Sequence, residues 1–304
     1  MFEELTMTPT AHVSSHLASP FISPSDSPPT SGRNGPGLNQ APRFVRVTSA
    51  LALVLASWVA SLLPSVAAAA DDVPSLLKAA DRYRTGAASD NLQIETQVTT
   101  FNRDGSVDKE RRYTVFTQAQ QRSLVLMRSP AEAGQKVLML GDDYWLLLPG
   151  SSRGLRITPM QKLLGDASTG DIATLSWAGD YTGALVGEES CEGAAPGDAT
   201  RPCLHLSLQG ARRGLSYQRI ELWLGKQRHE PLRADLYVLS DKLAKQARFV
   251  MDKAGAPTTV TEMVLADQLS SHKETRIKYL SRQVRQVPEN WLNPMFLARS
   301  PALE

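Results

Sequence analysis

Apolar and polar side chains alternate along Leu92, Ile94, Thr96 and Val98, with Gln93, Glu95 and Gln97 between them. That period of two predicts a strand with one buried face, because successive side chains of a strand point to opposite sides. Asn102-Arg103-Asp104-Gly105 predicts the turn, Asp-Gly being a strong hairpin signal, and Lys109–Thr117 the return strand. Between Arg122 and Ile157 the pattern changes. The runs Leu124–Met127, Val137–Leu140 and Tyr144–Leu148 are apolar at odd and even positions alike. The turns between them are too short for the crossover helices of a parallel sheet. The expectation is an antiparallel meander whose last strands are greasy on both faces. Helices can cover one face, and a lipid is expected on the other.

Upstream, Val73–Tyr83 predicts a helix, with Pro74 in its first turn, Leu76, Leu77, Ala80 and Tyr83 near one face, and an end near Thr85-Gly86. Downstream, Thr158–Tyr181 is rich in Gly and Asp and too long for a simple connection. It is read as a lid with short helical patches at Met160–Leu164 and Asp171–Trp177, and with Leu163, Leu164, Ile172, Leu175 and Trp177 on its apolar side. Strand patterns resume at Thr182–Glu188, Cys203–Leu208, Gln218–Leu224, Ala234–Ser240, Gln246–Asp252, Thr258–Leu265 and Glu274–Leu280. Pro288–Phe296 is a terminal element, with Trp291 and Phe296 tucked under the sheet. The predicted fold is mainly β with helices (α+β): a strongly curved antiparallel sheet of about 11 strands, forming an incomplete, unclosed β-barrel with a helical lid.

The first seventy residues fall outside this fold. Arg43 and Arg46, the apolar stretch Ala50–Leu63 and the small residues before Asp71 form a signal-peptide pattern over residues 43–70. Its apolar core is shorter than the roughly 20 residues of a membrane span; an uncleaved N-terminal anchor is the alternative. Residues 1–42 are rich in Ser and Pro, and are either a disordered leader or the product of a start codon assigned too far upstream. Residues 71–304 then form a single β-rich domain, exported to the periplasm of a Gram-negative-type envelope. A net charge of +2 gives no argument for nucleic acid. The two cysteines, Cys191 and Cys203, predict a disulfide across a Gly/Ala/Pro-rich loop.

Catalytic chemistry is not signalled. His205, His229 and His272 are isolated, no G-x-S-x-G elbow or P-loop is present, and no metal or cofactor is expected. Asp166, Asp171 and Asp180 are read as caps and turns. Arg212-Arg213 and the group Arg276, Lys278, Arg282 and Arg285 form a solvated strand face or a docking edge for a membrane-bound donor. Candidate cavity residues are Leu124, Leu126, Met139, Trp145, Leu147, Trp223, Tyr237, Phe249, Met251 and Met263. Ordinary core packing accounts for any one of them, so the case rests on their collective two-sidedness.

The stretches Tyr144–Ile157, Leu163–Tyr181 and Glu221–Val238, taken in that order, resemble the outer-membrane lipoprotein-sorting protein family, the LolA-like periplasmic carriers. The likeness covers residues 79–299, and its most specific part is Gly165-Asp166…Gly170-Asp171…Gly179-Asp180-Tyr181. The resemblance implies an unclosed barrel that holds acyl chains of lipoproteins or of another lipid under a lid, with an inner-membrane transporter or exporter as partner. A monomer is expected. A lipid-sensing envelope-stress regulator on the same scaffold and a lipid or glycan hydrolase are the other readings, the last without a nucleophile pattern. A palmitoyl chain fully removed from water gains roughly 12 kcal/mol. A carrier must therefore bury its cargo incompletely, or set lid closure in competition with it.

Overall fold

Among the described residues, thirteen strands form one antiparallel sheet. The computed structural model describes residues 72–86, 89–174, 176–192, 199–266, 274–299 and 303. The leader, the signal-peptide pattern and His272 lie outside the described residues. The first half of the sheet comprises β1 (Leu92–Phe101), β2 (Val107–Gln118), β3 (Arg122–Met127), β4 (Lys136–Leu140), β5 (Asp143–Leu147) and β6 (Leu155–Ile157). The second half comprises β9 (Tyr181–Cys191), β10 (Arg201–Gly210), β11 (Arg219–Gly225), β12 (Pro231–Tyr237), β13 (Leu243–Met251), β14 (Val260–Ala266) and β15 (Glu274–Val284). The halves join where β1 pairs with β15, from Leu92↔Val284 to Phe101↔Glu274. The strand order is β6-β5-β4-β3-β2-β1-β15-β14-β13-β12-β11-β10-β9, so β6 and β9 are the free edges and the sheet is not closed into a barrel.

This topology dictates where the 158–180 segment runs. It leaves one edge strand and must reach the other. It does so through the interior, contributing Leu164, Ala167, Ile172, Ala173 and Trp177 to the main core. It holds the hairpin β7 (Lys162–Leu164) and β8 (Ala167–Ser168), then the helix α2 (Thr169–Ala173). The helical patch expected at Met160–Leu164 is instead a turn at Met160 that leads into the strand Lys162–Leu164. Gly165, at φ +54°, turns the chain sharply, and the helix starts only where Ser168 and Asp171 form a reciprocal capping box. The N-terminal helix α1 (Val73–Thr85) packs into the same core through Leu76, Leu77 and Ala80. The Asp72 carboxylate accepts from the Ser75 amide at its start, and Gly86 ends it in the left-handed conformation at φ +68°.

The two-sided runs keep their period of two. Val125, Met127, Val137, Met139 and Tyr144 face the main core on the concave side. Leu124, Leu126, Leu138 and Leu147 face the convex side and pack on Val287, Leu292, Leu297 and Leu303. The C-terminal segment carries a 3-10 turn (Glu289–Leu292) and the helix α3 (Pro294–Arg299). Trp291 sets its ring edge-on to Phe116 at 5.7 Å, and Gln118 Nε2 donates to the Val287 carbonyl at 3.2 Å. The second greasy face therefore meets the protein's own C-terminus, not the lipid expected there. The strand number also exceeds the sequence expectation, partly because β6 is only three residues long, too short to show a period. At the far edge Cys191 and Cys203 form the expected disulfide between β9 and β10, with Cα atoms 5.9 Å apart.

Candidate functional site

The concave face is an apolar floor. Ile94, Val98, Leu206, Leu222, Phe249 and Ile277 are among its inward side chains, contributed by strands from both halves of the sheet. Among the described strand residues, one fully buried inward position is charged. Lys245 precedes Ala247, Phe249 and Met251 on the same face of β13, and is itself buried.

The cover is fastened to this floor by polar groups. At Gly165 a Cβ would lie 2.3 Å from Thr100 Cγ2 and 2.6 Å from Thr275 Oγ1, so only glycine lets the chain come this close. The next residue, Asp166, donates its amide to Thr275 Oγ1 at 2.9 Å. At Gly170 a Cβ would meet Ser216 Oγ at 1.8 Å, and Asp171 follows. Its Oδ2 lies 2.6 Å from Lys245 Nζ and accepts from the Ser168 amide and hydroxyl at 2.8 and 2.7 Å. Its Oδ1 accepts the Tyr217 hydroxyl at 2.7 Å. Burial alone would raise the Asp171 carboxyl, but Lys245, Tyr217 and Ser168 bring it below its ordinary value. The same burial, with Asp171 beside it, pushes the Tyr217 hydroxyl well up. Asp180 completes the series: Arg212 Nε and Nη2 reach its two oxygens at 3.0 and 3.2 Å.

Arg212 also ties the two halves together. It sits in the β10–β11 turn, yet Nη1 donates to the Gly141 carbonyl at 3.3 Å and pairs with Asp142, both in the β4–β5 turn. The rim is thus bridged by side chains where no strand pairing closes it. Arg212 is thus a paired, largely buried residue and not part of a solvated strand face.

Helix α1 grips the far end of the cover. The Asp81 carboxylate accepts from the Trp177 amide at 2.8 and 2.9 Å, the Ala178 amide at 2.8 Å and the Ser176 hydroxyl at 2.7 Å. Burial holds this carboxyl above its ordinary value, with Arg84 and the amide donors opposing the shift. The Arg84 guanidinium lies 4.0 Å from the centre of the Trp177 ring and donates to the Thr174 carbonyl at 3.2 Å. Trp177 in turn meets Phe249 edge-on at 5.5 Å.

Little space remains beneath the cover. A void of about 50 Å³ is bounded by Asp171, Trp177, Tyr217, Phe249 and Met263. A wider, half-polar cavity of about 270 Å³ opens beside it, between the β2–β3 turn, the end of α1 and residues 173–180, with Met139 in its lining. Pockets for drug-sized ligands run to roughly 300–1,000 Å³, so the void beneath the cover is far too small to hold one.

The candidate cavity residues divide between the two faces. Met139, Phe249, Met251 and Met263 face the concave core. Leu124, Leu126, Trp145 and Leu147 lie under the C-terminal segment. Trp223 packs on the disulfide at the convex side, and Tyr237 lies beneath Arg219, whose guanidinium is 3.5 Å from its ring centre. Of the lid residues, Leu163, Leu164, Ile172 and Trp177 pack into the core, while Leu175 lies outside the described residues. Asp81, Arg84, Tyr217 and Lys245 were not singled out from sequence. For Lys245 the signal was present: extending the β13 alternation back by one residue puts a lysine on the buried face.

An open antiparallel sheet wrapped around helices, with a polar-fastened cover over an apolar floor, is a carrier-type scaffold. A family model described as "uncharacterized protein" matches residues 119–299, more than half of the chain. A LolA superfamily protein from Nitrosomonas europaea is 28% identical, superposes with a TM-score of 0.63, and is matched over 73% of this chain and 97% of its own. A DUF1329 family protein from Desulfovibrio piger is 24% identical, with a TM-score of 0.56 over 73% of this chain and 98% of its own. An outer-membrane lipoprotein-sorting protein domain from Vibrio parahaemolyticus shares the fold at 16% identity, with a TM-score of 0.55 and the same coverage. No curated protein matches. The chain belongs to the family of the matching model, and it is LolA-like.

Proposed function

We propose that this protein is a periplasmic carrier that takes acyl chains of a lipoprotein or another lipid between the concave floor and the cover, and passes them between envelope components. The observation that carries this reading is the pairing of a continuous apolar floor with a cover fastened by directional polar contacts, over a void of only about 50 Å³. Acyl chains reach the floor by displacing Leu164, Ile172 and Trp177, which then become the inner surface of the raised cover. Met139, Phe249, Met251 and Met263 supply the floor, and methionine suits a pliable lining for chains of varied shape. Closure competes with cargo: each chain that leaves is replaced by the cover's own apolar side chains, so release does not expose the floor to water. An inner-membrane transporter or exporter is the partner that this cycle requires as donor. The carrier acts as a monomer and does no covalent chemistry.

The test is to purify the chain from the periplasm and analyse its organic extract by mass spectrometry, then to titrate it with a fluorescent acyl probe. Co-purifying lipid, and probe affinity weakened by Phe249→Glu or Met263→Glu in a folded variant, are the expected results. A protein free of lipid and without affinity for acyl probes would overturn the reading.

A further inference from the structure

Acyl-chain binding explains the apolar floor but not the charge buried within it at Lys245. The Lys245 side chain is 3% exposed and that of Asp171 2%. The ammonium also lies 5.7 Å from the centre of the Tyr217 ring. Asp171 belongs to α2 and therefore to the cover, whereas Lys245 and Tyr217 belong to the sheet and the approach to β11. When the cover rises, Asp171 leaves with it. An ammonium on an apolar floor without a counter-charge is strongly disfavoured, so opening is favoured by whatever brings an anion to this spot. Beyond Lys245 the same face of β13 continues as Ala247, Phe249 and Met251. At roughly 3.3 Å per residue, these six steps give about 20 Å of floor leading away from the charge.

From this arrangement we infer that Lys245 and Tyr217 form an anion site that takes the ionised headgroup of an acidic amphiphile, a carboxylate or a phosphate, in the place that Asp171 fills in the closed protein. The inference rests on the carrier reading and narrows its cargo to lipids with an acidic end. Asp171 is then a built-in stand-in for the headgroup. It satisfies Lys245 and Tyr217 while the carrier is empty, and the incoming anion exchanges with it. A neutral lipid with the same tail gains the floor but leaves Lys245 unpaired.

Titration with palmitate, hexadecyl phosphate and methyl palmitate tests this. The unaltered protein is expected to bind at least one of the acids about tenfold more tightly than the ester, the scale of one charge-assisted hydrogen bond, and which acid wins names the headgroup. Asp171→Asn removes the competitor and should tighten acid binding further. The double variant Lys245→Met/Asp171→Asn carries no unpaired ion; with its fold verified by circular dichroism, it should bind the ester as the unaltered protein does and the acids no better. Equal affinity for acids and ester in the unaltered protein, or discrimination that survives in the double variant, overturns the anion site and leaves the carrier reading standing. Displacement of hexadecyl phosphate by millimolar inorganic phosphate would assign the site to a free anion and overturn the proposal. Failure of all three amphiphiles to bind overturns the carrier reading itself.

Discussion

The sheet is apolar on both faces along β3–β5, and each face is covered by a different kind of contact. On the convex side the C-terminal segment buries Val287, Leu292, Leu297 and Leu303, with few hydrogen bonds, such as that from Gln118 to Val287. On the concave side the cover buries apolar residues too, but Asp166, Asp171 and Asp180 each fasten it to a different part of the sheet, and Asp81 holds it from α1. Apolar burial is non-directional and tolerates small shifts. A polar contact in a low-dielectric interior is directional, and a half-satisfied one is costly. The convex segment is therefore held by packing alone over most of its contact. The cover is held by paired polar groups, and the carrier reading proposed above requires that these be handed to water or to a ligand when it rises.

The largest test of this contrast is Asp171→Ala. It removes the fastening and leaves Lys245 unpaired in the floor, at a cost of about 3–5 kcal/mol. Urea denaturation should show this loss, and adding Lys245→Met should recover most of it. A loss below about 1 kcal/mol would mean that water reaches the pair freely, and that the cover is not held in this way. On the other face, Leu297, 1% exposed, contributes only packing. Leu297→Ala should cost about 3 kcal/mol and leave the acyl-probe affinity of the folded protein unchanged. An altered affinity would put the C-terminal segment in the binding site and erase the distinction between the two faces.

Much of the contrast is legible in the sequence, but not its assignment to faces. The alternation around Leu92–Val98 and the Asp104-Gly105 turn locate β1 and β2 closely, since both are local signals. The doubled runs at Leu124–Leu148 announce two apolar faces, and Trp291 and Phe296 do pack beneath the sheet. Periodicity is symmetric between the two faces, however, and only the position of the 158–180 crossing distinguishes concave from convex. That crossing follows from β6 and β9 being the edges, a long-range fact that no local pattern carries. The three Gly-Asp steps stand out as a motif, yet the reason for them is tertiary. Gly165 and Gly170 are needed because Thr100, Thr275 and Ser216 come so close, and the aspartates because their partners lie far away in the chain.

Asp81→Ala is expected to have a smaller effect than either substitution above. It strands the Trp177 and Ala178 amides without their acceptor, at about 1–3 kcal/mol, and it should appear first as faster amide exchange at those two residues. Exchange that rises equally at Trp177 and at β4 would mean that the cover opens only with the whole sheet.

Acidification should produce the smallest effect, and the one that best separates the fastenings from each other. Burial holds the Asp81 carboxyl above its ordinary 3.8, so the folded protein takes up this proton before the unfolded chain does. Between that raised value and 3.8, falling pH therefore adds to global stability through Asp81. Locally the sign is opposite, because a neutral carboxyl is a weaker acceptor for the Trp177 and Ala178 amides than a carboxylate; Arg84 is the charged neighbour that opposes the protonation. Asp171 behaves in the reverse way. Its carboxyl lies below 3.8, so its contribution is complete above 3.8 and is lost only as the pH falls through its own lowered value. As pH is lowered from 7 toward 4, exchange at Trp177 and Ala178, corrected for its intrinsic pH dependence, should accelerate while the urea midpoint does not fall on account of either group. Asp81→Asn should abolish the local pH response. A response that persists in that variant would move the titrating group elsewhere and leave α1 a passive support for the cover.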